Sequence, residues 1–150
     1  MNNIFYEGQV MWSMVDANMH LRHSAYADFA AQARLNLLER FGLKPSVFLK
    51  QNIGPILFRE ETIFLKEVRP NDIVRVTCEL TKSRADGSRW SIRHEIYRSV
   101  NTKAAIINVD GAWIDTSQRK LTALPDDLNQ LFLQTPRSAD YEDDIPVVKV

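Results

Sequence analysis

The sequence predicts an α+β fold with a largely antiparallel sheet, and three observations carry that expectation. One stretch, Ser24 to Phe41, places apolar residues at steps of three and four. From Ile56 the pattern changes to period two and stays there through four consecutive runs. Short turn signals separate those runs, Asp86-Gly87 foremost. Four strands joined by turns after one early helix fit α+β, not a doubly wound α/β arrangement.

Each element has its own justification. Phe5 to Val15 reads as a first strand. In the helix, Tyr26, Phe29, Ala30, Ala33, Leu37, Leu38 and Phe41 share one face, and five alanines give it a slim profile suited to close packing on a sheet. Ser24 is the expected N-cap and Gly42 the expected residue just past the C-cap. A link with Pro45 and Gly54-Pro55 reads as a short helix or loop. Ile56 to Lys66 is the next strand. Val74, Val76, Cys78 and Leu80 alternate with polar residues, as do Trp90, Ile92, His94 and Ile96. Lys103 to Asp115 completes the set, with Gly111 the expected bulge. Leu128 to Leu133 forms a short terminal helix. The expected organisation is one domain over residues 1–134 and a loosely attached acidic tail over 135–150; the alternative is that Tyr141 and Val147-Val148-Lys149-Val150 dock as an apolar strap.

At 150 residues, with 45% hydrophobic and 25% charged side chains, the chain suits one ordinary globular core. The single cysteine, Cys78, rules out an internal disulfide, and no Cys/His pair has zinc-ligand spacing, so neither metal nor cofactor is called for. Lys+Arg and Asp+Glu number 19 each, which argues against nucleic acid as a partner. Acids are concentrated after Asp126, leaving the body mildly basic. No apolar run approaches a membrane span and the N-terminus lacks signal-peptide features, so the expected location is cytoplasmic.

Chemistry concentrates in Met14-Val15-Asp16-Ala17-Asn18-Met19-His20-Leu21-Arg22-His23-Ser24-Ala25-Tyr26, between a strand and the helix. A carboxylate near a helix N-terminus stays ionised, ready to act as base or nucleophile, and the free N–H groups of the first turn can receive an oxyanion. The same residues would also make an ordinary polar loop, with Asp16 and Asn18 forming turns.

Asp16 to Tyr26, followed by Phe29, Ala33-Arg34 and Leu37-Leu38, resembles the signature of hotdog-fold thioesterases of the 4-hydroxybenzoyl-CoA thioesterase family. Asp16-x-Asn18-x-His20 is also similar to an element of plant-type acyl-ACP thioesterases. Gly54-Pro55, Phe64 and Pro70-Asn71-Asp72 extend the likeness. It implies a hotdog fold, an antiparallel sheet wrapped around one long central helix. It also implies a homodimer or dimer of dimers with sites at the subunit boundary, and hydrolysis of acyl-CoA or acyl-ACP. Carried over by position, Asp16 is the general base or the nucleophile, the backbone N–H of His23 polarises the carbonyl, and Asn18 and His20 orient water or carboxylate. Arg22 and Tyr26 join as substrate-binding residues. Three departures stand out: Met19 replaces the usual Gly, and Arg22 and His23 replace paired Asn residues. They point to a changed acyl preference or to binding without cleavage, so a noncatalytic acyl-thioester-binding protein is the alternative. A hotdog dehydratase fits less well, because its catalytic residues are arranged differently.

Outside the motif, His94 reads as a core histidine and Cys78 as a buried small residue. Glu60 and Glu61 point to opposite faces and cannot form a dyad, although one of them can face the cleft. Lys82, Arg84, Arg89, Arg93 and Arg98 bracket the hairpin; most read as solvated, with Arg84 and Arg89 the best candidates for CoA phosphates.

Overall fold

The computed structural model describes residues 2–147. Its order is β1 (Ile4–Gln9), a 3-10 turn (Trp12–Met14), α1 (His23–Arg40), α2 (Pro45–Gln51), β2 (Ile53–Phe64), β3 (Ile73–Thr77), β4 (Glu79–Ser83), β5 (Arg89–Ser99), β6 (Thr102–Asp115), β7 (Lys120–Thr122), α3 (Asp126–Phe132) and β8 (Arg137–Asp143). One eight-stranded sheet holds every strand, and all its pairings are antiparallel except β4 with β8. The α+β class and the antiparallel sheet are as expected.

The sheet's geometry follows from which edges are shared. β6 pairs with β2 along nearly its whole length and with β5 as far as Ala112. β7 meets β6 at Trp113 to Asp115, so it continues the line of β5 on the same side. β3 and the start of β4 pair with β5 in one register, which shifts by a residue between Leu80 and Lys82, and β1 and β8 flank them outside. β2 is left as an outer edge.

The expected strand through Val74 to Leu80 is therefore two strands with a break at Cys78. Side chains satisfy the backbone there. The Thr77 hydroxyl accepts the Glu95 N–H at 2.8 Å, and the His94 ring bonds the Thr77 carbonyl at 2.9 Å. The Cys78 N–H turns outward to Asn3 O.

Further expectations need correction. The first strand stops at Gln9, because Trp12 to Met14 coils into the 3-10 turn and Val15 then bridges Leu21. The helix starts at His23; Arg22 is the N-cap and supplies no side-chain cap, while Ser24 lies inside the first turn. The bulge occurs at the level of Gly111, but the extra residue is Phe58 on β2. A Cβ on Gly111 would fall on the Trp90 ring and the Ile56 carbonyl, so glycine is there for close approach.

Gly42, at φ +82°, occupies the expected position after α1. Its N–H reaches Glu39 O at 3.0 Å and that of Leu43 reaches Leu38 O at 2.8 Å, a Schellman ending that needs a left-handed residue. α1 lays Ala25, Phe29, Ala30, Ala33 and Leu37 against β1, β3 and β6. Ala30 and Ala33 are fully buried, which is how the small residues bring helix and sheet together.

The acidic segment is not a loose tail through Asp143. β8 lies parallel to β4, Tyr141 packs on the core, and its hydroxyl meets Ser83 Oγ at 2.7 Å. Asp140 pairs with both terminal nitrogens of Arg93, at 2.9 and 3.1 Å, Glu142 with Lys82 at 3.9 Å and Asp144 with Arg84 at 3.1 Å. The acids thus neutralise the basic face of β4 and β5. Of the expected apolar strap, Val148 to Val150 lie outside the described residues.

Candidate active site

The loop before α1 closes on Asp16. Asp16 Oδ1 accepts the backbone N–H of Asn18 at 2.9 Å and that of His20 at 3.4 Å. The Asp16 N–H bonds His20 O, and the Met19 N–H bonds Asp16 O. This winding puts Met19 at φ +61°, in the left-handed region where a side chain is strained. Glycine would take that conformation freely, which gives a physical reason for the glycine usual in the resembling signature.

Leu21 then fixes the loop to the next layer. Its side chain is buried and its N–H reaches Val68 O at 2.7 Å. The segment from Leu65 to Val68 is held in turn by Ala104 O, which accepts from Leu65 and Lys66, and by Arg98, which donates to Glu67 O at 2.8 Å. The result is an open cleft of about 320 Å³ lined by Asp16, His20, His23 and Tyr26 from the loop and helix, and by Phe64 and Glu67 from the far wall.

Within the cleft, His20 Nε2 stands 3.4 Å from Glu67 Oε2, with both side chains about two-fifths exposed. The phenol of Tyr26 is buried, edge-on to Phe64 with centroids 5.0 Å apart. Burial pushes its pKa up, a backbone hydrogen bond from Val68 opposes, and the charges of Asp16 and Glu67 add to the rise. Tyr26 is therefore a neutral hydroxyl at physiological pH. Asp16 Oδ2 has no hydrogen-bond partner among the described residues, and neither has the His23 N–H at the first helical position. Asp16, with one carboxylate oxygen free of protein partners, and His23, the first residue of α1, thus both line one cleft.

The other expected residues are placed differently. Asn18 is exposed and meets Asp16 through its backbone, outside the cleft lining. Arg22 turns back along the loop, donating to Ser13 O at 2.8 Å and to Ser24 Oγ at 3.1 Å. Arg84 is engaged by Asp144, and Arg89 lies over the Phe58 ring in a separate cleft with Lys82 and Asp110. Arg89 and Arg98 stand at opposite ends of β5, roughly 30 Å apart at strand rise, so this chain alone does not bring Arg89 to Asp16. Glu67 escaped sequence reasoning: its only local signal is a polar position after a strand, and its meeting with His20 depends on distant pairing.

Outside the cleft, His94 is fully buried. Arg34 can only donate, so its contact to Nε2 at 3.0 Å makes that nitrogen the acceptor and puts the ring proton on Nδ1, which bonds Thr77 O. Burial, reinforced by the Arg34 charge, lowers the His94 pKa to about 3. Cys78 Sγ lies 3.4 Å from Nδ1, but burial raises its pKa to about 12, so it is an inert thiol. Glu60 lies opposite buried Val109 and so faces the α1 side, whereas Glu61 pairs with Arg59 at 2.8 Å on the other face.

The chain belongs to the thioesterase-like superfamily, whose family model matches residues 10–132. No curated protein matches the sequence. Among solved structures it is similar to SAV2348 of Staphylococcus aureus, determined in complex with CoA, with TM-score 0.82 and 16% identity over 100% of this chain and 90% of that one. It is also similar to Slr0204, a 1,4-dihydroxy-2-naphthoyl-CoA thioesterase from Synechocystis, with TM-score 0.74 and 17% identity over 91% and 97% of the two chains. YbaW, a probable thioesterase from Escherichia coli, has TM-score 0.74 and 18% identity over 88% and 98%. The family match agrees with the hotdog-thioesterase resemblance carried by the residues around Asp16.

Proposed function

We propose that the protein hydrolyses acyl thioesters at the cleft beside the start of α1, with α1 the helix around which the hotdog sheet curls. The observation that carries this reading is that Asp16 and His23, the first residue of α1, line the same cleft. As general base, Asp16 takes a proton from water whose oxygen adds to the thioester carbonyl. The His23 N–H stabilises the oxyanion, the C–S bond breaks, and the departing thiolate is protonated. As nucleophile, Asp16 forms a mixed anhydride, expels the thiolate, and is released by water. Both routes use the same two groups.

His20, facing Glu67, orients the water or the carboxylate, and Tyr26 with Phe64 forms the apolar wall. The CoA-bound state of SAV2348 supports CoA as the carrier to try first; acyl carrier protein is the second. A homodimer is part of the proposal, because it offers the route by which Arg84 and Arg89 of one chain reach the other's cleft.

The test is thiol release from a panel of acyl-CoAs by the wild type and by Asp16→Ala. We expect turnover to fall at least ~100-fold, the scale for loss of a positioned acid or base, with the fold unchanged by circular dichroism. Full activity in folded Asp16→Ala rejects the mechanism. Binding of acyl-CoA without thiol release supports the noncatalytic alternative.

A further inference from the structure

The turn between β4 and β5 is braced from two sides. Asp86 Oδ1 accepts the Ser88 N–H at 2.9 Å and the Ser88 hydroxyl at 2.6 Å, and Asn129 on α3 donates to Ala85 O at 2.9 Å. Arg84 and Arg89 flank this turn, the Arg84 N–H bonding Arg89 O at 3.0 Å. Like charges set across a hairpin repel, yet a carboxylate meets one of the two. Arg84 Nε donates to Asp144 Oδ2 at 3.1 Å, with the side chains 29% and 24% exposed. Arg89 has no carboxylate within ion-pair distance among the described residues and lies over the Phe58 ring.

Asp144 follows β8 directly, and its N–H holds Ser83 O at 3.0 Å. It lines two open clefts and is the residue they share: one of about 250 Å³ with Lys82 and Arg89, the other of about 490 Å³ with Arg84. Ile145 and Val147 beyond it are exposed, so little burial opposes its withdrawal. A guanidinium is suited to phosphate, but a phosphate arriving at Arg84 meets the Asp144 charge. We propose that Asp144 is a built-in counter-anion on a phosphate site formed by Arg84 and Arg89, with Lys82 beside them, and that the phosphates of a CoA-type ligand bind by displacing it. The proposal rests on the thioesterase reading, in which CoA is the carrier, and adds the residue that sets affinity for a phosphorylated carrier. Apparent affinity is lowered by the fraction of time the ion pair is closed.

Calorimetric titration with CoA, pantetheine and inorganic phosphate tests the site without requiring turnover. Asp144→Asn keeps the shape of the side chain and removes its charge. It should bind CoA at least ~5-fold more tightly than the wild type does, while pantetheine, which has no phosphate, should bind both proteins alike. Adding Arg84→Met should cancel the gain. In the wild type, saturating CoA should accelerate hydrogen exchange between Tyr141 and Val147 relative to saturating pantetheine, because the Asp144 N–H leaves Ser83 O. A carboxylate that only neutralises the hairpin predicts no such acceleration. Unchanged or weaker CoA binding in folded Asp144→Asn, an equal gain for pantetheine, or unaccelerated exchange overturns the proposal. If Asp144→Asn does not fold, the exchange measurement on the wild type decides.

The inorganic phosphate titration assigns the source of the anion. A gain confined to CoA identifies the nucleotide end of the carrier; an equal gain for inorganic phosphate identifies a free anion. Both results retain the site. If CoA binds as described and no acyl-CoA is hydrolysed, the thioesterase reading fails while the site stands.

Discussion

Two residues carry unusual free-energy consequences. Met19 is half-exposed yet held at φ +61°. A side chain in that region costs about 1–2 kcal/mol, while glycine's greater freedom in the unfolded chain costs about 0.4–1 kcal/mol. Met19→Gly should therefore stabilise the protein by roughly 0.5–1 kcal/mol and raise its thermal midpoint by about 2–3 °C. A lower midpoint would show that contacts of the methionine side chain outweigh its backbone strain. His94 acts through protons. Its folded pKa is lowered from 6.5 to about 3, so below about pH 6.5 the unfolded chain binds a proton that the folded protein refuses. Its stabilising contribution is complete above that pH and is lost as pH falls toward 3, with a slope near 1.4 kcal/mol per pH unit. Urea unfolding between about pH 6.5 and pH 4.5 should show this slope, and His94→Gln should flatten it. An unchanged slope in the variant would assign the acid sensitivity to other groups.

At the scale of elements, β8 offers the sharpest test. It adds a parallel strand to β4, seats Tyr141 on the core and, with Asp144 just beyond it, places three acids opposite three bases. Exposed ion pairs contribute little individually, so strand pairing and the Tyr141 contact should dominate. Truncation after Gln134 should lower the thermal midpoint by more than about 4 °C, beyond what a loss of roughly 1 kcal/mol produces at this chain length; a smaller drop would mean that β8 is weakly attached. β8 was illegible in the sequence because Arg137-Ser-Ala-Asp-Tyr-Glu-Asp143 has one large apolar residue and its order depends on β4, far away in the chain. By contrast, α1, β5 and β6 could be read directly, since each carries its own period. The break at Cys78 was hidden for the same reason as β8: alternation continues across it, and only the Thr77 and His94 side chains reveal the interruption. Of the site, the residues of the loop were legible as a motif. Glu67 was not, and neither was the withdrawal of Arg22 from the cleft, because both depend on tertiary contacts.

For the whole molecule, the main issue is the free edge of β2. Among the described residues its twelve residues pair on one side only, to β6, and Leu57, Phe58, Ile63 and Phe64 are all two-fifths or more exposed. An apolar edge strand of that length invites pairing with another chain. Light scattering at micromolar concentration should give at least a dimer mass. If the site is shared, specific activity should fall on dilution below the dissociation constant. A fully active monomer would place the complete site within one chain.

The pairing of β2 with β6 also bears on the order of folding. Ile53 must find Asp115 and Phe64 must find Ala105 across all of β3, β4 and β5, whereas β5 and β6 meet through the tight connection between Ser99 and Thr102. Loop-closure entropy favours the nearer partners. The β5–β6 hairpin can therefore serve as an early template, with β2 added late. Phe64, a wall of the cleft, belongs to this late strand. A partly folded chain would then carry most of its sheet while lacking that wall, so the recovery of ligand binding would lag behind the recovery of sheet structure during refolding.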